Sequence, residues 1–154
     1  MPGKKKLSGY HLIVFGALLL SAIGLKLWSY HLSDATVVLK GETLHVMVAK
    51  TPMQQFRGLA GRDNLGRFDG MIFVFPKADR VGFVMRDMRF SIDIVWFSNG
   101  RVVDIAPNVP VEPVATEAQL KVYYPRKEAD LVLELPAGWA ASHGLVIGDQ
   151  LTAP

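Results

Sequence analysis

Cysteine is absent from all 154 residues, which excludes disulfides, thiolate metal ligands and thiol nucleophiles. The chain also lacks the G-x-S-x-G elbow of serine hydrolases, a phosphate-binding loop and a dinucleotide fingerprint. Its four histidines form no His-x-x-x-His pair, so the spacing typical of many metal sites is missing. We therefore expect no cofactor and no metal, and we assign no catalytic residue from the sequence.

A strongly basic domain is missing as well. The formal net charge is +3, but Lys4, Lys5, Lys6 and Lys26 are four of the 17 basic residues. The part after Ser33 carries the other 13 together with all 14 acidic residues, a net charge of −1. Nucleic-acid binding by charge is therefore not expected.

Residues 7–25 form a run of 19 residues without a charged side chain, if His11 is neutral. As a helix this run would be roughly 28 Å long, close to the thickness of a bilayer core. Lysines precede it, and Trp28 and Tyr30 follow where interfacial aromatic residues are expected. We predict one transmembrane helix within an anchor and tether at residues 1–32.

The lysine cluster would keep the amino terminus in the cytoplasm and place residues 33–154 in the periplasm or outside the cell. Two alternatives stay open. Ala22-Ile23-Gly24 resembles a signal-peptidase site, so the segment could be a cleaved signal peptide and the domain a secreted one. The run could also be a buried helix of a soluble domain.

Residues 33–154 predict a mainly β domain, with many short strands, turns between them and two short helices. Thr51-Pro52 is typical of a helix start, with Gly61 as its end, and Pro136 to Gly144 predict a second helix. We expect a compact β-barrel or sandwich with these helices as caps. Its predicted strands lie at residues 36–49 with a turn at Gly41, 71–75, 91–105, 120–124, 130–135 and 146–151.

Asn99-Gly100 predicts a tight hairpin within the stretch SIDIVWFSNGRVVDI, because both central positions of that turn need positive φ. The implied register places Asp93 opposite Ala106 and Trp96 opposite Val103. One face would then be wholly apolar, and Asp93 would lie on the other. LVLEL at residues 131–135 places Glu134 in the same way on the less apolar side of its strand.

A buried carboxylate must be paired, hydrogen-bonded or hydrated, and arginine is well suited to grip one with two bonds. We predict that Asp93 and Glu134 meet Arg57 and Arg86 in one polar cluster or groove. The two acids either tie a helix and a loop to the sheet, line a ligand pocket, or act as a catalytic pair. Weaker candidates for the same surface are Arg62, Asp104, His143 and Asp149.

Three blocks of the chain resemble the DUF192 family (domain of unknown function 192), over about residues 44–152. They are TPMQQFRGLAGR, then GMIFVFP with FVMRDMRFSIDIVWF, and LVLELPAGWAASHGLVIGD. The family usually has a Trp-Met-Lys-Asn-Thr run where this chain has Val84 to Met88. The resemblance implies a small β-rich domain, often behind a signal or an anchor, and it implies no activity.

We therefore expect a membrane-tethered β domain outside the cytoplasm that is a binding or accessory module. Its partner would be a small ligand, a glycan or a protein, or another subunit docked on the second sheet face. The rival interpretation is an envelope hydrolase that uses Asp93 and Glu134 as a carboxylate pair.

Overall fold

The computed structural model describes residues 9–29, 32–113 and 116–154. The chain divides into two compact units, Met1–His31 and Leu32–Pro154. The lysine cluster at residues 4–6, the first two residues of the apolar run and Tyr30 lie outside the described residues.

In the first unit, helix α1 spans Gly9–Ser29. Its large apolar side chains are exposed at seven positions, Tyr10, Ile13, Val14, Phe15, Leu18, Leu19 and Leu20. Among the residues that the structure describes, no helix combines the length and the hydropathy that crossing a membrane requires.

The second unit contains seven strands and two short α-helices among its described residues. The strands are β1 (Ser33–Leu39), β2 (Glu42–Ala49), β3 (Gly70–Asp79), β4 (Ile92–Ser98), β5 (Arg101–Val109), β6 (Ala129–Pro136) and β7 (Leu151–Thr152). The helices are α2 (Pro52–Arg57) and α3 (Trp139–Ser142), with a 3₁₀ helix at Glu117–Gln119.

All seven strands form one sheet in the order β5-β4-β6-β3-β2-β1-β7. Only the β2–β3 pair is parallel among the strands described, and α2 lies on the crossover between them. The sheet curls so that its two edges meet at one end, where Arg101 bridges Gln150 and the Leu151 N–H donates to the Gly100 carbonyl at 2.8 Å. The mainly β prediction is confirmed, and the sheet is a curled half-barrel.

The hairpin at Asn99-Gly100 has the predicted turn, with φ of 51° and 72° at its two central residues. Its register is as predicted only near the turn. Trp96 pairs with Asp104 rather than Val103, and Ile94 rather than Asp93 pairs with Ala106, because β5 carries two bulges. Each bulge inserts one extra residue into β5, which a strict alternation of faces cannot anticipate.

Both faces of the central strands are buried, so the face of β4 that carries Asp93 is covered. The first core packs beneath α3 and includes Val95, Phe97, Leu133 and Leu135. The second core, on the opposite face, includes Met71, Phe73, Met85, Met88, Ile94, Trp96 and Val132. The central strands are therefore covered by two layers, and their side chains are apolar on both sides.

Local signals decide the ends of α2. Thr51 and Gln54 form a capping box, with the Gln54 N–H donating to Thr51 Oγ1 at 3.3 Å and the Thr51 N–H donating to Gln54 Oε1 at 3.1 Å. The helix ends at Arg57 rather than at Gly61, because Gly58 leaves helical geometry with φ of 49°.

Three further predicted elements are shorter than expected, and the last of them, the strand predicted within residues 146–151, is confined to Leu151–Thr152. The strand predicted at residues 120–124 is reduced to a single bridge between Tyr123 and Phe83. The second helix is confined to four residues, because Pro136 still belongs to β6 and Gly138 has φ of 88°.

Candidate functional site

A cavity of about 320 Å³ lies between α2, the face of β3 that carries Phe73 and Phe75, and residues 81–88. Pockets that bind small molecules usually start at about this volume. Most of its walls are apolar, contributed by Phe56, Leu59, Phe73, Phe75, Val81, Phe83, Val84 and Met88. The polar side chains along it are those of Gln55, Arg57, Arg86 and Glu134.

Glu134 is the acid of this cavity. It lies in β6 between Met71 of β3 and Ile94 of β4, both fully buried apolar residues. The residue is 5 % exposed, and its Oε2 is buried with no hydrogen-bond partner in the described part of the chain. Burial raises the pKa of Glu134 to about 8, so the carboxyl is mostly protonated and neutral at pH 7.

Arg86 is held at the cavity by three hydrogen bonds and one stacking contact. Its Nε donates to Glu117 Oε2 at 2.7 Å, and its Nη2 donates to Glu117 Oε1. Its Nη1 donates to the Phe56 carbonyl at 3.2 Å, and the guanidinium stacks 4.1 Å above the centre of the Phe56 ring. The hydrogen bonds to Glu117 raise the pKa of Arg86, so the side chain stays charged.

Arg57 lies in the last turn of α2 and also lines the cavity. The helix itself is fixed to the sheet, because Gln55 Nε2 donates to the Val74 carbonyl of β3 at 2.8 Å. Two positively charged side chains thus accompany an apolar cavity whose wall contains a buried acid.

Glycine permits close packing at the cavity. At Gly82 a Cβ would lie 2.5 Å from Val122 Cγ1 and 2.6 Å from Tyr124 Cε1, so a larger residue would push the wall segment outward. Gly58 has positive φ and lies against Phe73, which brings the end of α2 onto the second core.

Asp93 does not line the cavity, so the prediction that it forms one cluster with Glu134, Arg57 and Arg86 is wrong. It pairs with Leu135 of the first core, whereas Glu134 pairs with Ile94 of the second core. Paired residues share a face and neighbours in a strand alternate, so Asp93 and Glu134 point to opposite faces of the sheet. They cannot act as a carboxylate pair, and the hydrolase interpretation that depends on that pair is wrong.

Backbone amides, not arginine, satisfy Asp93, which is fully buried. Its Oδ1 accepts from the N–H groups of Asn108 at 2.7 Å and Gly138 at 3.1 Å. Its Oδ2 accepts from the Ala140 N–H at 2.8 Å. Asp93 therefore ties the bulge of β5 and the start of α3 to the central strand.

The weaker candidates do not join the cavity. Asp104 is 6 % exposed, and its Oδ1 accepts hydrogen bonds from Nε (3.0 Å) and Nη2 (2.6 Å) of Arg126. Burial alone would raise the pKa of Asp104, but the hydrogen bonds from Arg126 and Ile105 lower it below its usual value. Arg62 is half-buried in the loop after α2 and is not among the residues that line the cavity.

Asp149 and His143 each have local partners. Asp149 pairs with Lys40 at 3.3 Å and accepts the Val146 N–H at 2.8 Å, and these interactions lower its pKa despite some burial. His143 Nδ1 lies 2.8 Å from the Trp139 carbonyl, and its ring stacks on that of Trp139. Within the described ranges, no three acidic or histidine side chains converge in a way that could hold a metal ion.

Of the four residues of the predicted cluster, Arg57, Arg86 and Glu134 line the cavity, whereas its apolar walls were not predicted. Phe56 and Phe83 are among the wall residues that no sequence motif indicates. No local pattern marks them, because the cavity joins four separate segments that lie between Gln55 and Glu134.

Comparisons with known proteins agree with the fold. The model of the DUF192 family, described as an uncharacterized ACR, matches residues 35–153. A crystal structure of a protein of unknown function from Novosphingobium aromaticivorans DSM 12444 is 28 % identical, with a TM-score of 0.65 over 78 % of this chain and 84 % of that one. A protein from Sinorhizobium meliloti 1021, proposed to be a transcription regulator, is 27 % identical, with a TM-score of 0.66 over 79 % and 93 % of the two chains. No curated protein matches this chain.

Proposed function

Since the chain belongs to the uncharacterized DUF192 family, we propose from its own geometry that it is a binding module for a small amphipathic ligand. The ligand would occupy the cavity between α2 and β3. The observation that carries this proposal is the unpartnered Oε2 of Glu134, a buried acid in the wall of an apolar cavity. An unpaired buried polar group is costly and calls for an explanation, and a ligand group that pairs with Oε2 would supply one.

The cavity supports a ligand with a ring or a branched chain at one end. Four phenylalanine side chains, Phe56, Phe73, Phe75 and Phe83, contribute to its walls. Arg57 and Arg86 would favour a negatively charged or polar outer end. An apolar cavity of about 150 Å³ already accepts benzene, so 320 Å³ accommodates a larger molecule.

The fluorescent probe 1-anilinonaphthalene-8-sulfonate tests this proposal, because it combines an aromatic body with an anionic group. We expect the full-length chain to bind it with micromolar affinity. Val84→Trp, which adds an indole to a half-buried wall position, should weaken that binding about tenfold or more. Fluorescence titration measures both affinities.

The matched control is Val146→Trp, the same change at an exposed position before β7. It should leave the cavity component of probe binding unchanged. Equal affinities in the wild type and the Val84→Trp variant, with both proteins folded by circular dichroism, would exclude the cavity as the binding site.

The regulator role proposed for the Sinorhizobium protein is not transferred here. Residues 34–154 carry 14 acidic and 13 basic side chains, so their net charge gives no general attraction to a phosphate backbone. A small-ligand site is compatible with a regulatory or an accessory role, and the proposal concerns the site alone.

We further propose that the domain is tethered to a membrane through residues 7–25. The support is the uncharged run, the lysines before it and the exposed apolar side chains of α1, which need an apolar environment. With the lysines in the cytoplasm, residues 33–154 would lie on the opposite side, in the periplasm or outside the cell.

Cell fractionation and protease access test the tether. The full chain should remain with membranes after extraction with alkaline carbonate, and its domain should be cleaved by protease added from the non-cytoplasmic side. A chain released by carbonate, or one that begins after residue 24 in the mature protein, would contradict an uncleaved anchor.

A further inference from the structure

The surroundings of Glu134 restrict the chemistry of the group that could reach it. Its neighbours across the sheet are Met71 on β3 and Ile94 on β4, and neither can share a proton or a charge. From the elements packed over it, the charged side chains that line the cavity are Arg57 and Arg86. Arg86 is already paired with Glu117, and among the described residues no ion pair involves Glu134.

A neutral carboxyl carries a hydroxyl donor beside a carbonyl acceptor. A primary amide offers the complementary pair, because one of its N–H donors lies on the same side as its carbonyl acceptor. An ammonium group has donors only, and binding it would require an ionised Glu134 and two buried charges. A carboxylate has acceptors only and would carry its own charge into an apolar wall.

We propose that the ligand presents an uncharged amide to the carboxyl of Glu134, with an aromatic or branched apolar body packed against the phenylalanine walls. This inference rests on the proposed function of the cavity and names its ligand class. The amide N–H donates to one carboxyl oxygen of Glu134, and the protonated oxygen donates to the amide carbonyl. Arg57 and Arg86 remain beside the outer part of the ligand.

Three probes of similar size separate the possible inner groups: phenylacetamide, benzylamine and phenylacetate. The full-length chain in lipid nanodiscs is titrated with each probe at pH 7, and ligand-observed NMR gives the affinities. We expect phenylacetamide to bind about tenfold more tightly than either charged probe. A ratio of this size corresponds to the net free energy of about one satisfied hydrogen bond. Empty nanodiscs provide the baseline for partition into lipid.

The pH dependence is the second readout. The pKa of Glu134, about 8, lies between pH 6 and 9.5, so this carboxyl in the cavity wall changes charge over that range. The affinity for phenylacetamide should fall several-fold across this range in the wild type. Glu134→Gln retains a donor beside an acceptor, so this variant should bind phenylacetamide within about threefold of the wild type at pH 7, without the pH dependence.

Tighter binding of benzylamine than of phenylacetamide, or an affinity for phenylacetamide that rises with pH, would overturn the amide assignment. Loss of amide binding in Glu134→Leu together with retained binding of 1-anilinonaphthalene-8-sulfonate would support it. Binding of that fluorophore without any preference for phenylacetamide would leave the cavity proposal standing and reject the amide. A chain that binds neither fluorophore nor amide rejects both.

Discussion

Asp93 and Glu134 lie on neighbouring strands, are both buried, and differ in what satisfies their oxygens. Asp93 accepts hydrogen bonds from three backbone N–H groups. Glu134 has an oxygen with no partner in the described structure and lines a cavity. A carboxylate that completes a helix start and a bulge stabilises the fold, whereas a neutral acid in an apolar wall is available to a ligand.

Replacing Asp93 should cost stability rather than binding. Asp93→Ala leaves the N–H groups of Asn108, Gly138 and Ala140 unpaired, and we expect a loss of about 3 kcal/mol in the free energy of unfolding. Asp93→Asn keeps one acceptor oxygen and should cost roughly half as much. Urea denaturation measures both.

Asp63→Ala is the control for Asp93, since Asp63 is an exposed acid that pairs with Arg89 on the surface. It should change the free energy of unfolding by less than about 0.5 kcal/mol. If Asp93→Ala were as mild as this control, Asp93 would not hold the start of α3.

Glu134 should make stability decrease with rising pH. Its folded-state pKa is about 8 against an ordinary value of 4.5, so the folded state binds the proton more tightly than the unfolded state. Protonation of Glu134 therefore stabilises the folded state fully below about pH 4.5, and this stabilisation is lost as the pH rises to about 8. Glu134 lowers the free energy of unfolding by at most about 1.4 kcal/mol for each unit by which the pH rises.

Urea denaturation at several values between pH 5.5 and pH 8.5 measures this slope. Glu134→Gln should remove it, because an amide does not titrate in this range. A difference between the two proteins that stays constant over the whole range would show that the carboxyl does not change its proton affinity on folding.

Among the elements, α2 and the β4–β5 hairpin were predictable because their signals are local. The capped start of α2 lies within four residues, Thr51 to Gln54. The hairpin turn needs only the positive φ angles of Asn99 and Gly100. The bulges of β5 and the short α3 were not predictable, because their partners are far away in sequence. Asp93 accepts a hydrogen bond from the Ala140 N–H, 47 positions away, in the first turn of α3.

Thr51→Ala should loosen α2 and, with it, one wall of the cavity. Loss of the capping oxygen usually costs about 1 kcal/mol. We expect faster hydrogen exchange at the amides of Gln54 and Gln55 and weaker binding of the fluorescent probe. Thr51→Ser keeps the capping oxygen and should behave as the wild type; equal exchange in both variants would show that the cap does not govern α2.

At the scale of the whole molecule, curling of the sheet brings its two edge strands, β5 and β7, together at one end. The Leu151 N–H donates to the Gly100 carbonyl, and the Val102 N–H donates to the Asp149 carbonyl at 2.9 Å. These bonds protect two sheet edges that would otherwise be open to another chain. The closure joins residues about 50 positions apart, so it contributes to the global fold rather than to one element.

Leu151→Pro tests this closure, since proline removes the N–H and Leu151→Ala removes only side-chain packing. We expect Leu151→Pro to be less stable than Leu151→Ala by roughly 1 to 2 kcal/mol and to exchange the Val102 amide faster. It should also self-associate, which sedimentation detects. Equal stability of the two variants would mean that the edge contact contributes nothing.

The sequence by itself determined the features that depend on neighbouring residues: the mainly β class, the turn at Asn99-Gly100, the start of α2 and the unusual acids in apolar strands. Only the tertiary structure decided which face each acid takes. Asp93 and Glu134 occupy similar positions in their own strands, and the β4–β6 register places Asp93 beside Leu135 and Glu134 beside Ile94. Register depends on the packing of the whole sheet, and a shift by one residue exchanges the two faces.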